Sequence, residues 1–147
     1  MNKHRIQRSA TIRLEAPIEK VFPLFGPIRE KDWANGWDPR VIIPTDVLVE
    51  KHMVFQTNHG NEVFTWIIGT YEPSKFLIEY VVTAIERIWT ITVNCHPNDA
   101  QTLATITYSF TGLTENGIHR NEVAIEKMFS ANLKDWEEEI NQYLSKP

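Results

Sequence analysis

Apolar and polar residues alternate from Ile6 to Leu14, the period of a half-buried strand. Ala16-Pro17 ends that pattern. Pro17 suits the first position of a helix, Glu19 favours its N-terminal dipole, and Val21, Phe22 and Phe25 form a short apolar stripe before Gly26-Pro27. Pro23 removes a backbone donor, so the helix must be brief. One further helical turn is expected over 28–33, followed by turn chemistry at Asn35-Gly36 and Asp38-Pro39.

From Val47 to Thr111 the chain is rich in β-branched and aromatic residues, cut by turn signals at 58–61, 73–75 and 97–99. This predicts antiparallel strands near 47–57, 62–72, 76–84, 86–96 and 101–111, with no marked turn between the third and fourth. Parity assigns their faces. The bulky sets are Phe64, Trp66 and Ile68; Phe76, Ile78, Tyr80 and Val82; Trp89, Ile91 and Val93; and Ala104, Ile106, Tyr108 and Phe110. The opposite face is largely threonine. After Gly112 and Gly117 the period becomes helical, with Ile125, Phe129, Leu133, Trp136, Ile140 and Leu144 on one stripe from about Asn121 to the end.

These elements predict an α+β fold: a curved antiparallel sheet of about six or seven strands wrapped on one long C-terminal helix, with two short helices after the first strand. One helix cannot fill a wide curved sheet, so the space between them is plugged by large side chains or left as a ligand cavity. No linker or repeat interrupts the 147 residues, and 1–147 reads as a single domain.

Composition narrows the partners. A net charge of -4 and a pI near 5.7 lack the basic face that nucleic acid requires. Lys3, Arg5, Arg8 and Arg13 alternate with apolar residues and read as the solvated face of an edge strand. No apolar run is long enough for an integral membrane segment and no signal peptide precedes the first strand, so a cytoplasmic location is expected. Cys95, the single cysteine, reads as a small buried hydrophobe. His4, His52, His59, His96 and His119 lack metal-ligand spacing and fall near turns or strand ends, so no metal is expected. Glycines fall singly, with Gly69 marking a bulge or close packing, and no serine has the context of a nucleophile. No cofactor is expected.

The order of elements, the Trp-Asp-Pro loop at 37–39, Thr65-Trp66 followed by Tyr71-Glu72-Pro73, the strand 105–114 with Glu115-Asn116-Gly117, and the closing helix together resemble the START-like or helix-grip superfamily. This broad group, often labelled SRPBCC, includes polyketide cyclases and dehydrases, lipid-transfer domains and pollen-allergen-like proteins. The resemblance spans nearly the whole chain and implies a hydrophobic ligand held between sheet and long helix. It does not imply catalysis, because many members only bind.

The expected ligand-binding side chains are Trp33, Phe64, Trp66, Tyr80, Trp89, Tyr108, Phe110 and Phe129. Large rings shrink a cavity as well as lining it. Arg8, Tyr80, Arg87 and Tyr108 are polar groups that parity sends inward, where each needs a partner. Arg87, Tyr108 and Tyr80 are the catalytic candidates: an arginine to anchor a carboxylate or enolate, a tyrosine to donate to a carbonyl. The plainer alternative has both arginines snorkelling out at strand ends and both tyrosines in the core with satisfied hydroxyls.

Three functional readings follow. The first is binding of a small hydrophobic or aromatic ligand. The second is a cyclase- or dehydratase-like enzyme acting on an aromatic or polyketide carbonyl compound, which lacks a convincing general base. The third is an interaction module, docking a partner or forming a homodimer through the loop of Trp33 and Trp37. In that loop, Trp37 is expected to be structural and Trp33 to gate the cavity.

Overall fold

The computed structural model describes residues 4–147, so Lys3 lies outside the described residues. Seven antiparallel strands make one sheet: β1 (Arg5–Leu14), β2 (Arg40–Ile43), β3 (Val54–His59), β4 (Glu62–Glu72), β5 (Leu77–Thr83), β6 (Arg87–Asn98) and β7 (Gln101–Gly112). Their order is β1-β7-β6-β5-β4-β3-β2, so the first strand closes against the last. Between β1 and β2 lie a one-turn helix, α1 (Ile18–Val21), and 3-10 turns at Phe22–Phe25 and Arg29–Asp32. Two helices follow the sheet, α2 (Glu115–Phe129) and α3 (Lys134–Leu144). The α+β, helix-over-sheet architecture is the one the hydrophobic pattern predicts.

Parity reads the faces of β4 to β7 as the sheet builds them, except at Phe76, which ends a 3-10 turn in left-handed backbone with φ of 54°, lies half-buried just before β5 and so has no strand face. Phe64, Trp66, Ile68, Ile78, Tyr80, Val82, Trp89, Ile91, Val93, Ala104, Ile106, Tyr108 and Phe110 are all buried. On the convex face, hydroxyls pair across strands, as Ser9 with Thr107 at 2.8 Å and Thr11 with Thr105 at 3.0 Å. Gly69 sits at a register shift between Ile68 and Thr70, a bulge in β4.

Two details differ from the sequence reading. The strand expected over 47–57 is instead β3 alone, preceded by a loop and by the short β2. Arg40–Ile43 carries too few residues to show a period, and the apolar Val47-Leu48-Val49 that suggested a longer strand lies in the loop before β3. The C-terminal helix is also broken, because Asn132 and Leu133 adopt left-handed backbone with φ of 51° and 60°. Asparagine tolerates that conformation. Leucine does not, but Leu133 is only 1% exposed, and its burial offsets the strain. The apolar stripe runs through the break, so periodicity alone could not reveal it.

The helices are fastened at both ends. At the start of α2, the Thr114 hydroxyl accepts from Gly117 N at 3.0 Å and donates to Glu86 at 3.0 Å, while Leu113 N donates to Glu86 O at 2.8 Å. Gly117 passes so close to the β5–β6 turn that a Cβ there would stand 1.9 Å from Glu86 O. This contact holds the turn that the sequence did not mark. Along α3, Glu137 and Asn141 each accept a backbone N–H, from Arg13 and Glu15 respectively at 2.8 Å, and Asn141 donates to Arg13 O at 3.0 Å. They cover part of the free edge of β1.

Candidate functional site

The rings that line the concave face do not fill it. Between the sheet and the pair α2–α3 lie two lobes of about 250 and 280 Å³ that share Trp37, Trp66, Ile91 and Tyr108 as their common wall. The first lobe opens towards Glu30, Trp33, Asp135, Trp136 and Glu139; the second towards His59, Phe64, Arg87, Trp89, Ala124 and Met128. A separate hollow of about 280 Å³ between the first 3-10 turn and β4–β5, with Phe22, Tyr71 and Phe76 in its wall, shares no lining residue with either.

The wall is an aromatic stack braced by hydrogen bonds. Trp66 lies 5.3 Å from Trp37 edge-on and 5.3 Å from Phe55 face-on, and its indole N–H donates to Thr57 Oγ1 at 2.9 Å. Trp33 Nε1 donates to Leu24 O and Trp37 Nε1 to Pro27 O, both at 2.7 Å. Both loop tryptophans therefore turn inward and are pinned to the chain that precedes them. Trp33 is 9% exposed, whereas Trp37 is only half-buried and borders both lobes. Both rings are thus anchored, Trp33 at the mouth of the first lobe and Trp37 between the two lobes. The Asp38-Pro39 turn fixes the backbone, but the ring it positions falls in the middle of the cavity.

Of the eight expected ligand-binding residues, Trp33, Phe64, Trp66, Tyr80, Trp89, Tyr108 and Phe110 border one lobe or both. Phe129 does not. It is 1% exposed, packs edge-on to Tyr108 at 5.8 Å, and lies beneath the Arg8 guanidinium at 5.5 Å. Arg8 itself is exposed, as a snorkelling strand-end arginine would be.

Arg87 does not snorkel. It is 7% exposed, sits over Phe64 and Trp89, and pairs with Glu62 at 3.0 Å. Arg120 pairs with the same Glu62 oxygen at 2.6 Å, so two cations share one carboxylate at the second lobe. The cation–π contacts offset part of the cost of burying Arg87. Near this group the exposed His59 stacks on Phe64 at 4.3 Å, and partial desolvation, opposed only in part by the Glu62 charge, pulls its pKa below the ordinary value.

The two tyrosines differ. Tyr80 donates to Phe25 O at 2.7 Å, which commits its hydroxyl to holding the 3-10 turn. Tyr108 is 6% exposed, borders both lobes, and makes no hydrogen bond to the described residues. Burial, then the charges of Glu30 and Asp135, push its pKa far up, so it can donate a proton in a hydrogen bond but does not ionise near neutrality. Cys95 is 2% exposed, with its thiol pushed up by burial to about 12, and it borders neither lobe.

Sequence reasoning missed Glu30. Its 3-10 turn brings it, half-buried, to the mouth of the first lobe. Desolvation holds that carboxyl well above the usual carboxylate range. In the sequence it is one acid in the polar run Arg29-Glu30-Lys31-Asp32, with no signal to separate it from its neighbours. The five histidines are exposed, and no group of three metal-ligating side chains occurs among the described residues.

No protein-family model matches the chain, and no curated protein matches it. Solved structures do. Norcoclaurine synthase from Thalictrum flavum, determined with dopamine and hydroxybenzaldehyde, superposes with a TM-score of 0.70 at 10% identity over 97% of this chain and 89% of that one. The Zhui aromatase/cyclase from Streptomyces sp. R1128 gives 0.71 at 15% identity over 96% of both chains. Ara h 8.0201 gives 0.65 at 10% identity over 97% and 99%. At such identities the likeness establishes a shared fold.

Proposed function

Starting from a chain with the helix-grip fold, we propose that it binds a small hydrophobic or aromatic molecule in the two-lobed cavity between sheet and helices. The observation that carries this reading is the pair of lobes meeting at Trp37, Trp66, Ile91 and Tyr108. Apolar rings supply the burial energy, and the unpartnered Tyr108 hydroxyl supplies a directional contact. The volumes suit a ligand of one to three rings, below or at the low end of the ~300–1,000 Å³ typical of drug-sized sites. We place this activity in the cytoplasm; among the described residues no helix is long and apolar enough to cross a membrane.

Quenching of tryptophan fluorescence tests it. A bicyclic aromatic such as naphthylmethanol should quench saturably, and Ala124→Phe, which projects into the second lobe from α2, should weaken binding by about tenfold or more. Absence of saturable quenching across a panel of apolar compounds would contradict the reading.

A second reading is enzymatic, and Glu30 favours it. The cavity holds a hydroxyl donor, Tyr108, and a carboxyl that desolvation raises well above the usual carboxylate range, a pairing that acid–base chemistry at a carbonyl compound can use. It predicts faster exchange of the α-protons of an aryl ketone in heavy water, lost on Glu30→Gln. Exchange unaffected by that substitution would remove it. The docking-module reading is weaker, because both loop indoles point inward.

A further inference from the structure

The mouth of the first lobe combines three features. Glu30, Asp135 and Glu139 converge there from the second 3-10 turn and from α3. Trp33, Trp37 and Trp136 border the same space, with the Trp33 and Trp136 rings 5.8 Å apart. No described cation pairs with any of these carboxylates; the ion pairs of the chain lie elsewhere. Independently of the acids, Tyr108, a residue only 6% exposed, brings a hydroxyl without a hydrogen-bond partner among the described residues.

We infer that this lobe takes the charged end of an organic ammonium compound, with the Glu30 carboxylate as its counter-charge and the three indoles around its apolar body. Indole faces attract cations by about 0.5–1 kcal/mol at exposed sites and about 2 when water is excluded. A half-buried carboxyl with no described cation beside it is costly as an anion, and a bound ammonium group supplies the charge that compensates it. The desolvation that raises Glu30 in the empty protein is what such a ligand would relieve. The second lobe is lined by the Arg87 guanidinium, whose partner Glu62 is shared with Arg120, so the positive excess there repels the ammonium end and orients the ligand.

This inference rests on the cavity reading above and names its ligand class. Calorimetric titration of the whole chain with naphthylmethylammonium, naphthylmethanol and naphthoate, near neutral pH and low salt, separates the two. The ammonium compound should bind at least about tenfold more tightly than the alcohol, and the naphthoate more weakly than either. Glu30→Gln should abolish the preference, so that the variant binds the ammonium compound no more tightly than it binds the alcohol. Asp135→Asn, at an exposed position, should reduce the preference by a smaller factor in a variant whose fold is not in question. Equal binding of ammonium and alcohol, or a preference that survives Glu30→Gln, overturns the charge inference alone. Failure of all three compounds to bind overturns the cavity reading with it.

Discussion

Glu30 and Tyr108 concentrate the chemistry of the cavity, and among the described residues Glu30 has no cation partner and the Tyr108 hydroxyl no hydrogen bond. Their effect on stability has a definite sign. The Glu30 carboxyl titrates near 4.5 in an unfolded chain and well above that when folded, so the folded protein holds a proton that the unfolded chain releases. Its contribution is intact below about 4.5 and is lost as pH rises towards the folded value. Wild type should therefore lose urea resistance relative to Glu30→Gln as pH increases from that point. A difference between the two proteins that does not change with pH would contradict it. Comparing against the variant cancels the titration of His59, whose lowered pKa acts in the opposite sense as pH falls. At this scale the sequence was informative about Tyr108, because strand parity placed it inward. It was silent about Glu30, because a residue in a 3-10 turn has no period to give it a face.

Strands were legible and helices less so, for a physical reason. A residue in β4 to β7 points to one face or the other, and a single bulky set on each strand was enough to decide which. The break between α2 and α3 depends on Asn132 and Leu133 in left-handed backbone, a choice made by packing rather than by periodicity. The tie between α2 and the sheet depends on a glycine. Gly117→Ala would place a methyl group against the Glu86 carbonyl at the β5–β6 turn, and it should destabilise the protein by about 1–3 kcal/mol in urea denaturation. Stability within about half a kcal/mol of wild type would mean that the helix start can shift without penalty, and that the turn is not held by this contact.

Across the whole molecule, the cup and its lining could be read in advance, while the amount of empty space could not. Whether rings plug a cavity or line it is decided by their tilt and by what they lean on, as when Trp66 settles between Trp37 and Phe55 and leaves room on either side of itself. The same packing kept Arg87, which parity sends inward, from snorkelling out, and buried it against a Glu62 carboxylate that it shares with Arg120. It also left the hollow beside Phe22, Tyr71 and Phe76 as a competing place for an apolar molecule. A crystal of the protein soaked with bromonaphthylmethanol distinguishes these sites through the anomalous signal of bromine. The account predicts that signal between Trp66 and Tyr108, inside the space covered by α2 and α3. Bromine at the Phe22 hollow alone, or at no site in the protein, would contradict it.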